Sequence, residues 1–397
     1  MRKLAIVFCG VLALVACNKT PDPAVSVNPA TVKVEYTGTD GTVSVELKAN
    51  RPWKLTRDEQ TWYSVEPLEG TGDATLYIRV DALEEAATRA AELTIQAETA
   101  TAKLSIVQGL PEVEDVKSGS FVIEEVFFSG FMLEDGKNND AMDGDQYFKI
   151  TNNTDKMLYA DGLIICKNIV GSQNGGYAYY LIDDDLSGDI LVQDLFQFPG
   201  DGADVPVLPG QSLVVAFAAQ DFATENGKGV DLSQADFEIF DGEELDVDNP
   251  DVPNMKILLK SSASFSFLHN RGYESYALVK FPDGVTEESF MTNNAFTGTS
   301  SFWMGGEILI PNEPYDEGSY LIPNAWVVDG INCGVEEDYG NPAFNATIDA
   351  GYTGCGKVDK DPDRFGKSAL RKSAGGKLVD SNNSTNDFTR DATPSLK

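Results

Sequence analysis

Histidine is almost missing from this 397-residue chain: His269, in "SFLHNRG", is the one copy. A Ser-His-Asp or Cys-His arrangement would have to be assembled around that single imidazole. A lone histidine cannot supply a typical zinc site either, and no Gly-x-Ser-x-Gly turn marks a nucleophile. His269 is therefore read as structural. Basic residues are also scarce, 30 Lys+Arg against 63 Asp+Glu, for a net charge of -33. Such a surface repels phosphate backbones, so nucleic acid is not an expected partner. It has no attraction for an anionic membrane face. Long apolar runs are missing as well. The run from Leu4 to Ala16, after Arg2 and Lys3, is too short to cross a hydrocarbon core of ~30 Å as a permanent helix. It reads as a signal peptide over residues 1–16.

The run ends Leu14-Val15-Ala16-Cys17, which resembles the bacterial lipobox. That resemblance implies cleavage before Cys17 and a diacylglycerol anchor on it, with residues 17–24 as a tether. The lipid on Cys17 is then the expected membrane contact, and the outer membrane the expected address, with the cell-surface face expected over the periplasmic one. Beyond Cys9 and Cys17 the cysteines are Cys166, Cys333 and Cys355. Cys166, after "GLII", reads as a small buried apolar residue. Cys333 and Cys355 lie in Gly-rich, irregular sequence in a compartment that permits disulfides. A bridge between them is expected, with two independent thiols as the alternative.

Residues 25–109 show short period-two strands, such as Val43, Val45 and Leu47, and Asp40-Gly41 before them signals a hairpin. "ALEEAATRAAEL" is helix-prone, but the surrounding alternation overrides it. Trp53, "TWYSVEPLEGTGDATLYIRV", Arg89 before "AELTI" and the closing "AKLSIVQ" resemble the BACON domain. The resemblance implies an immunoglobulin-like β-sandwich that acts as a spacer or as a weak glycan-binding module. Trp53 and Trp62 suit either core or sugar stacking, with core expected. "GLPEVEDVKSGS" has no periodicity, and residues 110–119 read as a linker.

Residues 120–397 are again all-β in texture, and Asp283-Gly284 signals another hairpin. In "DQYFKITNNTDKMLYADGLII", Asn152-Asn153-Thr154 spells a glycosylation sequon but reads as a turn joining "YFKI" to the next strand. This stretch, with "VIEEVFFSG", "VLPGQSLVVAF", "FLHNRGYESYALVKFPDG", "NAWVVDGI" and "GKSALRKSAGGKLVDSNNSTNDF", resembles lamin-tail immunoglobulin-like domains. It resembles more closely an uncharacterised Bacteroidetes lipoprotein family of unknown function. The fold class expected is all-β, two immunoglobulin-like antiparallel sandwiches in tandem. The second is enlarged by insertions at Gly171 to Pro206 and Phe222 to Lys256.

Asp359, Asp361 and Asp363 alternate like the start of a calcium loop, while "NNDAMDGD" offers Asp140, Asp143 and Asp145. In the first set Arg364 stands where the sharp-turn glycine belongs. An irregular calcium site and solvated turn acids both remain open. Tyr177, Tyr179, Tyr180 and Trp303 lie in Gly-rich stretches, where flat rings stack on sugars or anchor a protein. The function expected is a non-enzymatic binding lipoprotein for a glycan, protein or nutrient. The alternatives are a carboxylate-based glycoside hydrolase and, from the lineage of both resemblances, an accessory subunit of a TonB-dependent transporter.

Overall fold

The alternating stretches form strands with one wet and one dry face. In Val43–Ala49, Val45, Leu47 and Ala49 are buried while Ser44, Glu46 and Lys48 are exposed. The computed structural model describes residues 21–132, 138–139, 144–168, 172, 179–223, 229–243, 246–261, 266, 268–304, 307–315, 318–340 and 342–396. The chain divides into one unit ending at Leu110 and another beginning at Pro111.

The first unit holds two sheets. One orders its strands Val25–Asn28, Val43–Ala49, Ala74–Val80 and Tyr63–Glu66. The other orders Thr31–Val34, Ala100–Gln108, Arg89–Ala97, Pro52–Thr56 and Glu69–Thr71. Val45, Leu47, Leu76 and Ile78 from one sheet meet Leu93, Ile95, Leu104 and Ile106 from the other in a single core. The helix-prone stretch forms no helix: residues 82–88 are irregular, and 89–93 enter the strand Arg89–Ala97, paired along its length with Ala100–Gln108, so cross-strand pairing outweighs propensity there. Trp53 is core: it is 3% exposed, and its indole N–H donates to the Gly72 carbonyl at 3.0 Å. A Cβ on Gly70 would stand 2.7 Å from that indole. Trp62 is half-buried, with the Arg89 guanidinium 4.8 Å above its ring.

The hairpin expected at Asp40-Gly41 does not form. Thr31–Val34 pairs parallel with Ala100–Gln108 in one sheet, while Val43–Ala49 pairs in the other. The turn changes sheets. Residues 110–119 also differ from the linker reading. The Glu114 N–H donates to Met157 O at 3.1 Å, Met157 N–H to Glu112 O at 2.8 Å and Gly119 N–H to Val328 O at 2.7 Å. Val116 packs against the core of the second unit.

In the second unit one sheet runs Phe237–Glu238, Ser212–Ala216, Tyr147–Asn152, Phe121–Phe127, Ser368–Arg371 and Phe388–Ala392. Another runs Lys256–Leu259, Asp189–Gln197, Leu163–Asn168, Tyr276–Lys280 and Val327–Ile331, with Tyr320–Pro323 also on Asp189–Gln197. Phe121, Ile123, Phe148 and Ile150 meet Leu163, Ile165, Tyr276 and Leu278 between them. Both sheets are covered on their far sides too. Phe222, Val230, Leu232 and Val252 bury Phe127, Tyr147 and Ala216. Phe290, Phe344 and Ile348 share a second cluster with Ile164, Cys166, Ala277 and Val279. Strands covered on both faces lose alternation and become continuous apolar runs. The stretches read as insertions are therefore cover and sheet: Asp189–Gln197 lies inside one of them and pairs with three strands.

The Asn152 turn leads from Tyr147–Asn152 to the next strand, Leu158–Tyr159, in a different sheet, so it is a crossing. One more hairpin reading changes. Asp283-Gly284 ends the strand Tyr276–Lys280 and leads to the short helix Glu287–Asn293, capped by Thr286. No helix among the described residues is long and apolar enough to cross a membrane.

Candidate functional site

Asp161 follows the two-residue strand Leu158–Tyr159 and is 2% exposed. Its carboxylate accepts the backbone N–H groups of Gly202 at 3.0 Å, Asp204 at 2.8 Å and Val205 at 2.9 Å. Burial works to raise its pKa, but these three donors outweigh burial, and the group is held below the ordinary aspartate value. The residues it gathers form a tight turn. Gly200 has φ +122, and a Cβ there would overlap the Asp161 carboxylate.

That turn is one wall of a cleft of about 430 Å³. Another wall is the 113–118 segment, fixed by its bridge to Met157. The third is the end of the strand Tyr276–Lys280, together with the 3₁₀ turn Asn324–Trp326 and the start of Val327–Ile331. Pairing with Pro206 places Tyr159 at the cleft. The Asn324 N–H and side-chain amide donate to Gly188 O at 3.0 Å and Ser187 O at 2.9 Å, which anchors the turn carrying Trp326. Phe281 meets the Trp326 ring edge-on at 5.7 Å and stacks on Phe290 at 4.7 Å. The amine of Lys280 donates to the Asp161 carbonyl. Burial lowers its pKa, against the opposing pull of Asp161 and Asp283. The lining thus offers half-buried rings, the amines of Lys280 and Lys117, and carboxylates at Glu114, Asp115 and Asp283. Few polar groups beside ring faces suit a ligand with both hydroxyls and an apolar face.

The residues singled out from sequence lie elsewhere. Cys17 and Tyr177 fall outside the described residues, as do Asp140 and Asp143. Tyr179 and Tyr180 are register partners of Trp303 and Phe302 in a small sheet ordered Tyr179–Ile182, Gly298–Met304, Glu307–Tyr315. Trp303 is half-buried. The backbone therefore brings three of the four named aromatics to one sheet, away from the cleft lining.

Cys333 and Cys355 are free and buried. This corrects the expected disulfide. Both sit in the main core with Tyr276, Ile331 and Phe388, and burial pushes both thiols up. The backbone tie of Gly334 N–H to Thr353 O at 2.8 Å closes this part of the chain. Asp359 does not converge with its two neighbours in the calcium pattern. It accepts from the Arg271 guanidinium at 2.8 Å and the Tyr273 hydroxyl at 2.9 Å. Asp361 accepts from the Lys357 and Asp363 N–H groups, and Asp363 is exposed. Asp145 is buried and accepts from Phe131 N–H at 3.0 Å. Among the described residues no group of three or more His, Cys, Asp or Glu side chains is placed to hold a metal ion.

His269 is half-buried, packs on the Tyr273 ring at 5.5 Å and has its pKa lowered by burial. Its Nδ1 accepts from the Arg271 N–H at 3.3 Å, so it serves the local turn. The Tyr273 hydroxyl also reaches Asp338 at 3.0 Å, which places two carboxylates around one phenol. With Asp359 bound by Arg271, this pair is engaged in an internal network.

Residues 208–395 match the family described as "Protein of unknown function (DUF4876)". A DUF4876 family protein from Bacteroides thetaiotaomicron VPI-5482 is similar at 17% identity over 94% of this chain and 98% of that one, with a TM-score of 0.54. At that identity the likeness shows a shared fold. A Bacteroides ovatus GH5 xyloglucanase in complex with a XXXG heptasaccharide is similar at 16% identity over 28% of this chain and 29% of its own, TM-score 0.21. That likeness carries no argument. A comparison with curated proteins returns no match. The DUF4876 match fits the expectation of an uncharacterised Bacteroidetes family. It includes Lys280, Asp283 and Trp326 of the cleft, while Glu114, Tyr159 and Asp161 lie before it.

The cleft was not foreseen from sequence, because its walls come from stretches that are far apart in the chain. The one signal present in the sequence is "NAWVVDGI", whose apolar run marks a strand and which carries Trp326.

Proposed function

We propose that this chain is a non-enzymatic binding lipoprotein, anchored to the outer membrane through Cys17 and displayed at the cell surface. In this reading its first unit is a BACON-like immunoglobulin-like spacer and its second a lamin-tail-like scaffold that carries the ligand cleft. The ligand class is a neutral, polyhydroxylated molecule of glycan type. The observation that carries the reading is the pairing, in one cleft, of the Trp326 and Tyr159 rings with the Lys280 amine and several carboxylates. Rings take the apolar face of a sugar and the charged groups take its hydroxyls. Asp161, the buried carboxylate at the cleft, is occupied by three backbone donors and in this reading holds the wall of the cleft.

Calorimetric titration of the purified chain with an oligosaccharide panel, alongside a product-release assay, tests this. Trp326→Ala and Lys280→Met should each weaken binding about tenfold, equivalent to ~1.4 kcal/mol. Release of product would overturn the non-enzymatic reading, and unchanged binding in both variants would remove the cleft from it.

A further inference from the structure

The main core of the second unit ends in charge. Along the strand Leu163–Asn168, Ile165 pairs with Phe196 and Leu278 inside that core, and two residues further on Lys167 pairs with Asp194 on one side and Tyr276 on the other. Opposed residues share a face of the sheet, so Lys167 and Asp194 stand side by side at the end of the core. Their side chains are 17% and 6% exposed. The Lys167 amine lies 2.6 Å from Asp194 Oδ2 and 3.3 Å from Glu274 Oε1. The other Asp194 oxygen, Oδ1, accepts the Ser261 N–H at 2.6 Å, and the Ser261 hydroxyl donates to Oδ2 at 3.0 Å. Glu274 is held in turn, because its Oε2 accepts from the His269 N–H at 3.0 Å and the Tyr276 hydroxyl at 3.3 Å. Burial works to lower the Lys167 pKa, but Glu274 and Asp194 outweigh it and raise the amine above the ordinary lysine value.

We propose that Lys167 Nζ and Asp194 Cγ become joined in an isopeptide bond, with Glu274 relaying the protons. An amine against a carboxyl, a second carboxylate within reach of the amine and an N–H on the carbonyl oxygen are the parts that acyl transfer to nitrogen needs. Glu274 takes a proton from the ammonium, and the freed lone pair adds to Asp194 Cγ. Negative charge gathers on Oδ1, where the Ser261 N–H stands. Oδ2 then leaves as water, carrying two protons that began on Nζ, and Glu274 ends as it started. One C–N bond forms, one C–O bond breaks, and no oxidant, reductant or other reactant enters. Free amines and carboxylates do not condense in water, but contact geometry and exclusion of water both favour the amide. Because the ammonium must first give up its proton, the step is slow and happens once per chain. The bond ties two neighbouring strands of one sheet covalently and so resists their separation.

Tryptic peptide mapping by mass spectrometry, on the purified folded chain held at neutral pH, tests this. The peptide carrying Lys167 should appear joined to the peptide carrying Asp194, with a combined mass one water short and no cleavage after Lys167. Fragmentation should place the branch at those two side chains. Glu274→Gln keeps both reacting groups and should leave the two peptides separate, as should Lys167→Met, with circular dichroism checking that each variant is folded. Separate peptides from the folded parent chain would overturn the proposal, and so would a water lost without the branch, as in ring closure at an Asp-Gly step. A branch that forms in Glu274→Gln as fast as in the parent would overturn it equally, by removing the proton relay.

Discussion

Asp161 illustrates how much a single carboxylate can organise. Its three backbone partners fix the turn that walls the cleft, and the aspartate had no distinguishing mark among 63 acids in the sequence. Asp161→Ala leaves those N–H groups without an acceptor and should cost about 1.5–3 kcal/mol in urea unfolding at neutral pH. The pH dependence follows from the lowered pKa. A group whose folded pKa lies below its unfolded value of ~3.9 contributes fully above that value and loses its contribution as pH falls through the folded pKa. The gap between parent and variant should therefore close in acid. A gap that stays constant from about pH 7 to about pH 3 would count against the carboxylate as its source. Burial favours the neutral form of His269, and its ring nitrogen accepts from the Arg271 N–H in a local turn.

At the scale of elements, turn chemistry was legible but strand partners were not. Asp40-Gly41, Asn152-Asn153-Thr154 and Asp283-Gly284 all reverse or redirect the chain as their residue types require, Gly41 at φ +81 and Gly284 at φ +85. None joins two adjacent strands of one sheet. A turn sets direction over four residues, whereas pairing depends on which faces must be buried. Asn152 shows the local part. Its amide donates to Lys156 O and Val207 O, both at 2.8 Å, and its carbonyl accepts from the Thr154 N–H at 3.0 Å. Asn153 instead exchanges two bonds with the Leu378 backbone, both at 3.0 Å, from a half-buried position. Asn152→Ala should cost about 2–4 kcal/mol and Asn153→Ala about 1 kcal/mol in chemical denaturation. Equal costs would mean that the crossing is not held by Asn152.

For the whole molecule, the boundary between units decides what can be separated. Residues 111–119, the first of the second unit, carry three backbone hydrogen bonds to the rest of it and line its cleft. At about 0.5–1.5 kcal/mol each, their loss should destabilise that unit by about 1.5–4.5 kcal/mol. A chain beginning at Pro111 should thus melt, by calorimetry, several degrees above one beginning at Ser120, and only the longer one should keep the cleft. Identical melting temperatures would restore the linker reading.

The sequence by itself determined the all-β class, the core placement of Trp53 and the division into two regions, because alternation and turn residues act over a few positions. Only the tertiary structure decided that the apparent linker is a cleft wall, that the apparent insertions cover the sheets, and that Cys333 and Cys355 are core thiols. These depend on contacts between residues far apart in the chain, such as Asp161 with Val205 or Gly119 with Val328. Burial on both faces hides the alternation that would have revealed the order of strands.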